Sequence, residues 1–99
     1  MVNWDGDNYW VHIVTANIVE NPVDNTATVE YDLSQFLPET PLKISLYDHS
    51  GNLISVIMNS IPLSLSDSIV FDASSLITGF YYIVVQYGDG VAFQNFIKQ

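Results

Sequence analysis

The sequence predicts an all-β fold. Three observations carry that prediction: short runs alternate in polarity, β-branched and aromatic residues fill them, and Gly, Pro, Asn and Asp separate them. No apolar period of 3.6 residues is long enough to argue for a helix.

The elements follow in order. Trp10 to Val19 reads as a first strand, stopped by Glu20-Asn21-Pro22-Val23-Asp24-Asn25, where Pro22 has no N–H to give a central ladder. Thr26 to Leu33 alternates cleanly, with Ala27, Val29, Tyr31 and Leu33 facing the core and Thr26, Thr28, Glu30 and Asp32 facing solvent. Ser34 to Pro41, carrying Pro38 and Pro41, is a loop across the end of the domain. Leu42 to Asp48 is the next half-buried strand, with Leu42, Ile44 and Leu46 inward and Lys43, Ser45 and Tyr47 outward. A hairpin through Asp48-His49-Ser50-Gly51-Asn52 leads to Leu53–Met58, with Gly51 free to take the positive φ such a turn requires. Asn59 to Ser66 is a looser connection, and Ser68 to Asp72 resumes strand character. Ile57 and Met58 beside Ile61 and Leu63 are read as core filling in preference to an apolar edge open to another chain. In Asp72-Ala73-Ser74-Ser75-Leu76 the Asp side chain can hold the amides that follow it, with Leu76 plugging the turn from below. Gly79 opens a strand through Tyr87, Gly88-Asp89-Gly90 is a tight turn, and Val91 to Lys98 closes the sheet.

About seven antiparallel strands at this spacing predict an immunoglobulin-like β-sandwich with Greek-key connections. The expected core includes Val29, Tyr31, Leu33, Ile44, Leu46, Leu76, Tyr81, Ile83 and Val85.

Composition narrows function. With 99 residues the chain makes one domain, and at 48% hydrophobic and 13% aromatic it is too apolar for disorder. No apolar run approaches the roughly 18 residues of a membrane helix, so membrane insertion is not expected. A net charge of −9, with Lys43 and Lys98 the only strong cations, argues against nucleic acid, because almost nothing is present to displace counterions from phosphates. The carboxylates are spread along the chain and read as a solvated coat. The absence of cysteine removes disulfides and thiol chemistry. Residues 1 to 19 show no basic stretch leading into an apolar one, which predicts that a signal peptide was trimmed or that another domain precedes this one.

Catalytic chemistry finds little support. His12 and His49 have no neighbouring nucleophile pattern. Asp5-Gly6-Asp7-Asn8 resembles the start of a calcium loop, but the twelfth position is Ala16, which cannot supply the closing bidentate carboxylate. A pair of glycosidase carboxylates would lack a cleft in so small a sandwich. No enzyme activity, cofactor or metal is expected. Trp4, Tyr9 and Trp10 read as packing of the first strand, with a platform for a glycan or protein as the functional alternative.

Several residues in order resemble the type IX (Por) secretion C-terminal sorting domain of Bacteroidetes secreted proteins: Asn21-Pro22, Tyr47-Asp48-His49-Ser50-Gly51, Gly79-Phe80-Tyr81 and the closing Ile97-Lys98. The resemblance covers residues 20 to 99, with residues 1 to 19 left as a strand or linker from a preceding segment. Two positions depart from the family pattern: Glu20 stands where its opening motif has a proline, and Phe96 where a basic residue is common. The resemblance implies a non-catalytic module that directs a larger cargo protein through the periplasm to the outer membrane and cell surface. Its implied partner is the secretion machinery or a cell-surface protein. It places recognition in Phe96, Ile97, Lys98 and Gln99. Small secreted β-sandwich proteins of the same bacteria share the hairpin glycine and the Gly-x-Tyr strand, which keeps open a stand-alone adhesive module for a glycan or protein.

The motif residues also have scaffold roles. Gly51 relieves its turn, Asp72 holds loop amides, Gly79 lets the chain pass close under the sheet, and Tyr81 reaches a loop carbonyl as a tyrosine corner. Lys98 reads as an exposed charge, so Lys98→Ala is expected to cost within about 0.5 kcal/mol.

Overall fold

The computed structural model describes residues 14–99. Among the described residues, seven strands form two sheets: β1 (Val14–Ile18), β2 (Thr26–Leu33), β3 (Leu42–Asp48), β4 (Leu53–Ser60), β5 (Ser66–Asp72), β6 (Gly79–Tyr87) and β7 (Gly90–Lys98). One sheet runs β1-β2-β5 and the other β4-β3-β6-β7, with every strand pair antiparallel. The chain changes sheet from β2 to β3, from β4 to β5 and again from β5 to β6. This is the Greek-key, immunoglobulin-like sandwich that the alternation predicts.

The core lies between the sheets. Val29, Tyr31, Leu33, Ile44, Leu46, Ile83 and Val85 are buried as expected, while Leu76 and Tyr81 pack half-buried against them. Burial of one such side chain is worth about 1.5–3 kcal/mol, so inward alternation decides which face each strand turns in. Ile57 and Met58 also pack on the core, but Ile61 and Leu63 are exposed, which corrects the reading of all four as filling.

Turn chemistry joins the strands. Gly51 takes φ 88° in the β3–β4 hairpin, where Asp48 Oδ1 accepts from the amides of Ser50 and Asn52, each at 2.9 Å. Gly88 takes φ 59° in the two-residue β6–β7 loop, as a type II′ turn requires. In the β2–β3 connection, Pro38 and Glu39 make a turn closed by Thr40 N donating to Leu37 O at 3.2 Å, with Glu39 itself at φ 57°.

Ser45 departs from its expected place at the solvent. It sits on the outward side of β3 between Val56 of β4 and Val84 of β6, yet it is fully buried and its Oγ has no partner among the described residues. A hydroxyl dried without a hydrogen bond costs about 1–3 kcal/mol, and the void left by deleting one oxygen offsets part of that. Ser45→Ala is therefore expected to raise stability by about 1 kcal/mol, measured as the urea midpoint. A fall of similar size would mean that the hydroxyl has a partner such as a bound water.

Candidate functional site

The closing strand is held on both sides. Its whole length pairs with β6, from Tyr87↔Gly90 to Gly79↔Lys98. Near its end the segment after Pro22 docks alongside as a parallel bridge: Val23 N donates to Ile97 O at 2.7 Å, and Gln99 N donates to Val23 O at 2.9 Å. Val23 is buried while Asn21 and Pro22 are exposed, and the Asn21–Pro22 peptide is cis.

Alternation along β7 sorts the four predicted recognition residues into two pairs. Phe96 is 1% exposed, its ring stacked on Tyr81 at 5.7 Å and edge-on to Phe71 at 6.2 Å. Lys98 is on the same side and only 7% exposed, with Nζ donating to Gln99 O at 2.9 Å. The expectation of an exposed charge at Lys98 is thus corrected: its aliphatic stem is packed, and Lys98→Ala removes packing as well as charge. Ile97, at 42% exposed, and Gln99 face outward. The period of two that places Phe96 inward also places Lys98 inward, so the signal was present in the strand pattern.

The remaining motif residues are scaffold. Asp72 Oδ1 accepts from Ser74 N at 2.9 Å, and Tyr81 donates its hydroxyl to Ile77 O at 2.5 Å, the expected tyrosine corner. Gly79 has a different reason from the one expected. A Cβ built there meets nothing within 4 Å, so it is the φ of 155° that calls for glycine, not a close approach.

Glu20, the departure from the opening motif, has a structural role. Beyond the end of β1, Val19 N still donates to Thr28 O at 3.0 Å. The Glu20 carboxylate then takes over from the backbone, accepting from Thr28 N at 2.7 Å and Thr28 Oγ1 at 2.9 Å. Desolvation pushes its pKa up, but the bonds from Thr28 outweigh it and hold the carboxyl below its ordinary 4.5. Asp48, through its bonds from Asn52 and Ser50, and Asp72, through Ser74, are likewise held below 3.8. A depressed folded pKa gives stability that is present above the unfolded value and lost as pH falls through the folded one. Glu20→Gln is therefore expected to be less stable than the wild type at pH 7. The gap should begin to close below about pH 4.5 and vanish below the folded pKa. Comparing the two proteins at each pH cancels the relief of overall negative repulsion on acidification. A gap constant from pH 7 to pH 3 would mean that the charge of Glu20 contributes nothing.

Two shallow depressions meet around Phe80. One, about 330 Å³, lies among Asp48, His49, Ile77, Thr78 and Tyr81, and the other, about 230 Å³, among His49, Tyr82 and Asn95. His49 has no nucleophile or carboxylate pair arranged with it among the residues lining either depression. A third depression gathers Glu30, Tyr31, Asp32 and Asp67. There burial, then the negative charge of Asp67, pushes the Tyr31 phenol up. Among the described residues, no group of three or more His, Cys, Asp or Glu is placed to hold a metal ion, and no helix is long and apolar enough to cross a membrane. His12, the Asp5-Gly6-Asp7-Asn8 segment and the aromatics Trp4, Tyr9 and Trp10 lie outside the described residues.

Fold and strand end together define an immunoglobulin-like module with a locked closing strand. The chain belongs to the secretion system C-terminal sorting domain family, whose model matches residues 17–99. It is a sorting domain of type IX secretion, of a family that is generally non-catalytic, and it implies export to the cell surface or secretion. Among solved structures it is similar to dimeric latent PorU from Porphyromonas gingivalis, with TM-score 0.68 and 19% identity over 94% of this chain and 10% of that one. The chain thus spans about a tenth of that protein's length, and the likeness is one of fold. It is also similar to the sulfur carrier protein SoxY from Chlorobium limicola f thiosulfatophilum, with TM-score 0.42 and 13% identity over 87% and 76% of the two chains, too slight to carry an argument. No curated protein matches it.

Proposed function

We propose that the domain works as a folded tag without catalysis of its own, attached to a larger cargo, and that the secretion machinery reads the end of β7. Ile97 and Gln99 present the readable surface, and Phe96 and Lys98 act by holding that surface in place. The observation carrying this reading is the Val23 bridge, which pins β7 on the side away from β6 and gives the strand end one position. A short apolar element in one position costs little ordering entropy on capture. The proposed unit begins by Val14, because β1 is paired with β2 and sends Val14 and Ile18 into the core.

The test fuses residues 14–99 to a periplasmic reporter in a host with type IX secretion. The intact fusion is expected at the cell surface or in the medium, and Ile97→Thr, a β-branched replacement at an exposed site, is expected to stay in the periplasm while still folded. Retention of the intact fusion in a folded, protease-resistant form would overturn the sorting role of this unit and favour a stand-alone binding module. Export of both would leave the tag and remove the role of Ile97.

A further inference from the structure

The two sheets turn opposite chemistries to solvent. On the β1-β2-β5 sheet the outward pairs are Thr26↔Asp72, Thr28↔Val70, Glu30↔Ser68 and Asp32↔Ser66, polar except for the exposed Val70, and Ser66 Oγ donates to Asp32 Oδ1. On the β4-β3-β6-β7 sheet the outward rows mix polar Asn59, Gln86 and Asn95 with an apolar and aromatic stripe. Tyr47 stacks on Tyr82 at 5.2 Å, Tyr82 leans on Phe93 at 6.5 Å, and Leu53 extends the row onto β4. Phe93 is 65% exposed and Leu53 55%. Ile97, paired with Phe80, continues the same surface to the strand end. Lys43 is the one charged side chain in these outward rows. The carboxylates of Asp48 and Asp89 belong to the turns at the two ends, and Asp48 is held ionised by its loop amides.

Both edges of this sheet carry features that hinder an added strand. Register shifts opposite Ile44/Ser45 and Leu46/Tyr47 break the hydrogen-bond repeat of β4, and Val23 covers the end of β7. The broad apolar surface offered to a partner is the face. A second copy would bring two chains of net charge −9 together, which opposes association even with screening over about 8 Å. Resting on the sorting function above, we infer that this face docks a protein surface of the secretion apparatus that is apolar at its centre and basic at its margin. Such a surface matches the aromatic row and the acidic remainder of the domain together.

The test uses the same fusion of residues 14–99. Phe93→Thr is expected to lower export at least about tenfold, as for a central aromatic anchor, while Val70→Thr on the opposite sheet exports as the wild type does. At the rim, Leu53→Lys is expected to lower export and Leu53→Glu to leave it unchanged or raised, a charge dependence that a packing role would not produce. Each variant is checked for protease resistance, and should Phe93→Thr fail to fold, the Leu53 pair on the edge strand carries the test. Export of Phe93→Thr and of both Leu53 variants at the wild-type level would overturn the inference and leave the tag function standing. Retention of the wild-type fusion would overturn that function and this inference with it. Sedimentation at low and physiological salt is expected to give a monomer, and a dimer abolished by Phe93→Thr would assign the face to a second copy instead.

Discussion

Phe96→Ala is expected to destabilise the domain by about 3–5 kcal/mol, whereas Ile97→Ala, one residue on, is expected to cost under about 1 kcal/mol. Phe96 is almost fully buried between Tyr81 and Phe71, so truncation removes its transfer free energy, two ring contacts and the packing of a void that strands on both sheets cannot collapse to fill. Ile97 spends much of its surface in water already. Small domains hold about 5–15 kcal/mol in total, so the first change takes a large part of the fold's stability and the second does not. With a slope of about 2 kcal/mol per molar urea, the midpoint should fall by about 2 M for Phe96→Ala and by less than about 0.5 M for Ile97→Ala. Equal shifts would mean that the inward and outward sides of β7 are wrongly assigned. The consequence for sorting is direct: loss of export on changing or deleting Phe96 reports unfolding, and only outward positions such as Ile97 report recognition.

The fold was legible because its determinants are local. β2 and β3 run over the residues that alternation alone marks out, and the turns at Gly51, Asp72 and Gly88 carry side chains and φ values that each turn type demands. β5 begins two residues before its expected start, because Ser66 pairs with Asp32 across the sheet, a partner invisible from its own neighbourhood. The same holds for Ser45, which is buried with Val56 and Val84 as its register partners on adjacent strands. Lys98 is a different case. Its charge suggested solvent, but its parity with Phe96 places it inward, and a lysine stem accommodates that as an isolated charge would not. At the strand end, Val23 was unremarkable in a polar turn until the fold brought it beside Ile97 and Gln99.

Tyr87→Phe is expected to cost about 1–3 kcal/mol, more than Tyr81→Phe, although Tyr81 is the tyrosine the sequence motif singles out. Tyr87 is 2% exposed at the end of β6, and its hydroxyl accepts from Leu37 N at 2.6 Å and donates to Leu37 O at 3.3 Å. Both backbone groups sit in the connection that carries the chain from β2 in one sheet to β3 in the other. Phenylalanine keeps the buried ring and deletes only the hydroxyl, so the part-buried amide of Leu37 is left to whatever water can reach it. The Tyr81 hydroxyl meets Ile77 O at an exposed site, where solvent can take over the carbonyl, so its loss should cost under about 1 kcal/mol. Urea midpoints of the two variants give the ranking. Proteolysis gives the location, because Tyr87→Phe should expose residues 34–41 to cleavage under conditions where Tyr81→Phe does not. If Tyr81→Phe proves the more damaging, the tyrosines hold the loop near Ile77 rather than the β2–β3 crossover, and Tyr87 is not the anchor of that connection.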